Sequence, residues 1–260
     1  MGEAIVVTSG KGGVGKTTTT ANLSTALAAA GKTVVAIDAD IGLRNLDIIM
    51  GLENRIVNNL VDVAKKRCNV RQALIRDKRN KNMFLLPASQ VYDTSAITPE
   101  EMREVCDELK KEFNYVLIDC PAGIEQGFKN AIAGADRAIV VTTPEVSSVR
   151  DADRVIGLLQ HHGIPAALLV TRLNLHMVEA GEMMSQDDVM DILAIDLLGV
   201  VVEDSDIVVA GNQGIPAVMN EASVAGQAYL RIARRILGEQ VPIPPLDQKK
   251  GFLAKFFGRR

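Results

Sequence analysis

Along the chain, short apolar runs alternate with stretches whose apolar residues recur at helical spacing. The runs lie at 4–9 (AIVVTS), 33–38 (TVVAID), 83–89 (MFLLPAS), 115–119 (YVLID), 138–143 (AIVVTT), 166–171 (AALLVT) and 199–202 (GVVV). Residues that stay apolar at successive positions predict strands buried on both faces, the habit of a parallel sheet. Residues 16–30, 100–112, 147–161 and 221–237 carry helical spacing. Gly31 supplies a stop for the first helix. Thr98 and Pro99 supply an N-cap and a first-turn proline for the second. This alternation predicts an α/β fold, a doubly wound and mostly parallel sheet with helices on both faces. Three prolines within 239–248 (EQVPIPPLDQ) end the last helix. The expected organisation is one domain over 1–238, a linker over 239–248 and a short separate segment over 249–260.

Composition sharpens this picture in two places. The chain is 47% hydrophobic but only 3% aromatic, so its core must be built from Val, Ile, Leu and Ala. The cysteines Cys68, Cys106 and Cys120 are odd in number and form no C-x-x-C pair, which suits a reducing cytoplasm. No apolar run approaches the roughly 20 residues of a membrane span. The net charge of −3 hides an asymmetry. Residues 249–260 hold Lys249, Lys250, Lys255, Arg259 and Arg260 and no acid, which leaves −8 on the rest. An acidic body is a poor nonspecific ligand for nucleic acid, and no specific nucleic-acid partner is expected.

Gly10 to Thr17 (GKGGVGKT) fits the phosphate-loop pattern G-x-x-x-x-G-K-S/T, between a predicted strand and a predicted helix, as the motif requires. Backbone N–H groups of Gly10, Lys11, Gly12, Gly13, Val14 and Gly15 would curl around phosphates at the positive end of the helix. Lys16 would neutralise β- and γ-phosphate charge, and the Thr17 hydroxyl would ligate Mg²⁺. Thr18 completes the nucleotide-binding set. Lys11 is a second lysine where one suffices. It is either a solvated surface residue or a group that reaches a nucleotide on a second subunit. Asp38, Asp40 and Asp119 sit at the ends of predicted strands, the edge where open α/β sheets place ligands. A lone strand-end Asp is usually a turn residue; the phosphate loop shifts that balance. Pro121 to Gly123 follow as a loop able to sense a γ-phosphate. No N-K-x-D guanine motif occurs.

The string KGGVGKT resembles the deviant Walker A motif of the MinD/ParA family of ATPases. The strings IGLRNLD (41–47), PEVSSVRDADR (144–154), NQG (212–214) and KKGFL (249–253) are similar to its division-site branch, so the resemblance spans the chain. It implies ATP and Mg²⁺ as cofactors, hydrolysis of ATP to ADP and phosphate, and a homodimer with ATP between subunits. In that dimer Lys11 crosses to the partner's phosphates and acts with Lys16 and Asp40. Asp40 orients the attacking water. Asp38 and Asp119 join Thr17 around the metal, and Pro121 and Gly123 report the γ-phosphate. Arg172 and Asn174, within TRLN, face adenine. The family's proline before Glu-Asp is replaced here by VVED (201–204). Arg44, Arg150, Asp151 and Asp153 lie near partner contacts, the partners being a MinC-like division inhibitor and a MinE-like activator. A ParA-like role, or one in placing flagella, positioning DNA or other cargo, is the alternative.

Residues 249–260 (KKGFLAKFFGRR) are the last signal. At about 100° per residue, Phe252, Leu253, Phe256 and Phe257 share one face, flanked by Lys250 and Lys255. This is the composition of an interfacial helix for an anionic membrane surface. Ordering one such tail nearly cancels its gain, and two tails on one dimer bind far more tightly. The expected location is cytoplasmic, peripheral on the inner face of the cell membrane, with ATP-driven dimerisation as the switch.

Overall fold

The structure, a computed structural model, describes residues 1–244. The proposed membrane residues Lys250, Phe252, Leu253, Lys255, Phe256 and Phe257 lie outside the described residues. The strands are β1 (Glu3–Thr8), β2 (Val34–Asp38), β3 (Ile75–Arg76), β4 (Met83–Leu86), β5 (Tyr115–Asp119), β6 (Arg137–Thr142), β7 (Ala166–Leu173) and β8 (Leu197–Val202). The helices are α1 (Lys16–Ala29), α2 (Leu46–Ile49), α3 (Leu60–Ala64), α4 (Val70–Ala73), α5 (Pro99–Leu109), α6 (Gln126–Ala133), α7 (Val146–His161), α8 (Leu175–Glu179), α9 (Gln186–Leu193), α10 (Asp206–Asn212) and α11 (Val224–Ile236).

The strands form one sheet in the order β3-β4-β2-β5-β1-β6-β7-β8. Every described pairing is parallel except that of β3 with β4. From β1 the chain winds outward to β2, β3 and β4, returns to β5, then crosses β1 to β6, β7 and β8. The direction of winding therefore reverses around β1, the place where such sheets hold ligands.

Successive strand residues face opposite cores. Ala4 and Val6 join the layer that packs Met102, Phe128, Val149 and Val189, from α5, α6, α7 and α9. Ile5 and Val7 join the opposite layer, which packs Leu23, Leu46 and Ile232, from α1, α2 and α11. Both faces are covered, which is why the strands read as unbroken apolar runs. Helix α1 is buried from Thr19 to Ala28. Its Ala, Ser and Thr residues let the sheet and α11 approach it closely, and Thr19 Oγ1 meets Tyr229 Oη at 3.1 Å.

The strand expectations hold to within a few residues, with two corrections. The antiparallel β3 has only two residues and left no periodic signal. Strand β7 runs on to Leu173, so Arg172 lies inside it, at an irregularity in its pairing with β8. Helix α5 begins as its cap predicts: the Thr98 hydroxyl accepts from Glu101 N at 3.2 Å, and the Glu101 carboxylate accepts from Thr98 N at 2.9 Å. Thr98→Ala removes half of this reciprocal cap. It is expected to cost about 1 kcal/mol, read as a fall in the melting temperature of roughly 2–4 °C; an unchanged melting temperature would show that the cap is idle.

Candidate functional site

The parallel pairing of β2 with β5 sets Asp38 directly opposite Asp119 at the ends of their strands. Both side chains are buried, at 0% and 1% exposure. The phosphate loop leaves β1 beside them. Gly13 and Gly15 take φ of +77° and +97°, a region that glycine enters without strain. Their turns deliver the chain to α1, whose first residue is Lys16. From β7, Thr171 Oγ1 donates to Val14 O at 2.7 Å and pins the loop. Gly10 is needed for closeness: a Cβ there would lie 2.3 Å from Asp151 O of α7. On the far side, Gly12 faces Ala122, the residue between Pro121 and Gly123. The loop is thus held between β7, α7 and the segment after β5.

Lys16 is buried, and its Nζ donates to Ser9 Oγ at 3.0 Å. Ser9 Oγ in turn donates to Lys11 O at 2.7 Å. Thr20 Oγ1 donates to Asp119 Oδ1 at 3.3 Å. Asp38 accepts from Asp40 N at 3.0 Å and from Leu46 N at 3.2 Å. These bonds do not balance the burial of two adjacent carboxylates. Desolvation pushes Asp38 up to about 7, against the backbone N–H groups of Leu46 and Asp40. Desolvation and then the Asp38 charge raise Asp119 well above the usual carboxylate range, with the Thr17 hydroxyl and Lys16 opposing. Burial also raises Asp40, and Lys16 again opposes. A buried pair of under-compensated carboxylates next to a phosphate loop is a donor set suited to a hard divalent cation. Asp38, Asp119 and Thr17 fit that role.

Lys11 points elsewhere. Its Nζ lies 3.1 Å from Ser147 Oγ and 3.3 Å from Glu145 Oε2, on the surface. Such an exposed pair contributes little, so Lys11 can leave it at small cost.

Beside the loop, a cavity of about 450 Å³ is lined by Val14, Gly15, Thr18, Arg172, Val202 and Glu203, among others. That volume suits a nucleoside. Arg172 is held at φ +54° on its wall. Asn174 caps α8, accepting from His176 N and Met177 N, and its Nδ2 donates to Glu203 Oε2 at 3.0 Å. Asp204 ties the next turn down. Its carboxylate accepts from Asp206 N at 2.9 Å, Ser223 Oγ at 3.0 Å and Ala225 N at 2.9 Å. Burial acts to raise its pKa, and these bonds outweigh burial and lower it.

The remaining expected residues, Arg44, Arg150, Asp151 and Asp153, are not among those that line this cavity. Arg150 and Asp153 are exposed on α7, whereas Asp151 packs its backbone on Gly10. Arg44 contacts Asp47, with Nε 3.0 Å from Oδ2. Sequence reasoning missed Ser9, Thr20 and Asp204. A hydroxyl one residue before the loop and another four after its lysine were the available signals. Just past the ends of α2 and α10, the backbone at Gly51 and Gly214 crosses closely. A Cβ on Gly51 would lie 2.6 Å from Gly214 O, and one on Gly214 would lie 2.7 Å from Gly51 Cα. Arg79 bolts this crossing, donating to Gly214 O at 2.8 Å and to Met50 O.

The model of the AAA domain family matches residues 2–162. The septum site-determining protein MinD of Bacillus subtilis (strain 168) is 57% identical over 267 residues, covering 100% of this chain and 100% of the relative. The solved MinC:MinD cell division protein complex of Aquifex aeolicus gives a TM-score of 0.88 at 47% identity, covering 94% of this chain and 98% of that one. The septum site-determining protein MinD complexed with Mg-ADP from Pyrococcus horikoshii OT3 gives 0.83 at 30% identity, covering 93% and 100%.

The buried carboxylates make a pH prediction. In the unfolded chain Asp38 ionises near 3.8, and in the folded chain near 7. Its contribution to stability is therefore complete below the lower value and is lost as pH rises through the upper one. Asn carries no such loss. The melting temperature of nucleotide-free Asp38→Asn is expected to gain on that of the parent as pH rises from 5 to 8. A difference that does not change with pH would count against an uncompensated Asp38.

Proposed function

Because the chain belongs to the MinD family of septum site-determining ATPases, we propose that it is a membrane-associated switch driven by ATP. It binds ATP with Mg²⁺, dimerises, attaches to the inner face of the cell membrane through residues 249–260 and recruits a division inhibitor that positions the septum. Hydrolysis to ADP and phosphate, promoted by a MinE-like activator, releases it. The observation that carries this reading is the buried Asp38–Asp119 pair set beside Lys16 at the mouth of the phosphate loop. The Mg-ADP in the Pyrococcus relative supports the nucleotide and the ion, and the Aquifex complex supports an inhibitor of the MinC kind as partner.

The chain's own groups have distinct tasks. Thr17, Asp38 and Asp119 would hold Mg²⁺, which supplies charge neutralisation to the phosphates when bound. Lys16 exchanges its bond to Ser9 for the β- and γ-phosphates. Backbone N–H groups of the loop, through Thr18, orient the triphosphate. Asp40 positions the attacking water, and Pro121 and Gly123 face the γ-phosphate. Arg172 and Glu203 bound the base, and Asn174 holds Glu203 in place. Lys11 leaves Glu145 and Ser147 to reach the partner's phosphates, adding positive charge where negative charge develops. Among the described residues no helix is long and apolar enough to cross a membrane, which is compatible with attachment from one side.

The test is sedimentation with anionic liposomes in Mg-ATP, in Mg-ADP, and in Mg-ATP after deletion of residues 249–260. Sedimentation is expected only with Mg-ATP and only with the tail. Equal binding in both nucleotides would remove the dimer switch. Absence of binding throughout would overturn the membrane assignment and direct the search to DNA.

A further inference from the structure

Asp40 is fixed by its backbone on both sides. Its N–H donates to Asp38 Oδ1 at 3.0 Å. Its carbonyl accepts from Leu43 N at 3.2 Å and Arg44 N at 3.1 Å. Arg44 therefore closes the turn that carries Asp40, and it does so at φ +48°. A side chain disfavours that region, and the same loop uses glycine for it at Gly42, φ +102°. Lys66 and Ala194 take the same region just past helix ends, at φ +58° and +48°; Arg44 takes it inside the loop, where a side-chain contact accompanies it. Three residues on, the Asp47 side chain is fully buried, and neither of its oxygens accepts a well-formed hydrogen bond. The Arg44 side chain, itself 18% exposed, lies across it as an ion pair, Nε 3.0 Å from Oδ2 but not aligned as a hydrogen bond. A buried carboxylate left without that cation is costly. The contact with Asp47 thus offsets part of the cost of that conformation at Arg44. Leu46, just before Asp47, donates its N–H to Asp38 at 3.2 Å, so the latch and the metal-side carboxylate share one strip of backbone.

We propose that Arg44 is a positioning residue for ATP hydrolysis: its contact with buried Asp47 locks the turn that aims Asp40 at the attacking water. This rests on the hydrolysis reading above. Arg44 does not touch the nucleotide and acts on hydrolysis through Asp40.

The test measures phosphate release from Mg-ATP by the full chain, unmodified and as Asp40→Ala, Arg44→Gly, Asp47→Asn and the double variant of the last two. Arg44→Gly keeps the left-handed backbone free of strain while removing the latch, so it separates backbone shape from side-chain contact. Arg44→Gly is expected to lower kcat about tenfold or more while KM for ATP stays within about twofold. Asp47→Asn should do the same, and the double variant should be no slower than either single one. Methylguanidinium should restore part of the rate to Arg44→Gly and none to Asp40→Ala. Full kcat in Arg44→Gly, or losses in the two single variants that multiply in the double, would overturn the latch alone. Equal loss of kcat and nucleotide binding would also overturn it, as general damage. No phosphate release from the unmodified chain, or full release by Asp40→Ala, would instead overturn the hydrolysis reading beneath it. Should Asp47→Asn fail to fold, Arg44→Gly and its chemical rescue carry the decision.

Discussion

Two carboxylates at the ends of neighbouring strands, sealed from water, constrain the rest of the site. The β2–β5 register places Asp38 and Asp119 together, and burial of each charge costs several kcal/mol unless it is compensated. The chain surrounds them with hydroxyls from Thr17 and Thr20, backbone N–H groups from Asp40 and Leu46, and the ammonium of Lys16. None of these provides a full second positive charge. Burial and mutual repulsion therefore favour a proton, or a cation, on this cluster. The loops that meet here are those whose geometry is most tightly prescribed.

The base cleft follows a different logic. The family resemblance leads one to expect a proline just before Glu-Asp; here Val202, the last residue of β8, stands there and Glu203 and Asp204 begin the turn. The structure stiffens this turn by hydrogen bonding. Glu203 N donates to Leu173 O at 3.0 Å, and the Asp204 carboxylate gathers three donors from the starts of α10 and α11. A carboxylate at helix N-termini is favoured by their exposed N–H groups. Hydrogen bonds can therefore fix the cleft wall without a restricted φ angle.

What was legible in the sequence depended on how local its cause is. Strands buried on both faces leave unbroken apolar runs, so the central strands could be read directly. The phosphate loop carries its own geometry in its glycines. The Thr98 cap is a contact between residues three apart. By contrast, β3 exists only because β4 offers it an edge, and two residues have no period. The capping boxes at Asn59 and Asn69 begin helices of five and four residues, too short for a periodic signal. The partner of Lys16 was hidden because Ser9 is an ordinary strand-end residue until the loop folds back over it. Arg44 reads as an exposed charge in one dimension; only the fold shows it covering Asp47.

The Gly51–Gly214 crossing bears on how this sequence can drift. In an apolar core, a larger residue at one position can be offset by a smaller one opposite, because volume is shared between side chains. Here both partners are already glycine, and each would strike the other's backbone. There is nothing left to shrink. Substitution at either position has no compensating change at the other, so the two are expected to stay invariant independently rather than covary. A search for contacts through correlated substitutions would pass over this close approach between Gly51 and Gly214.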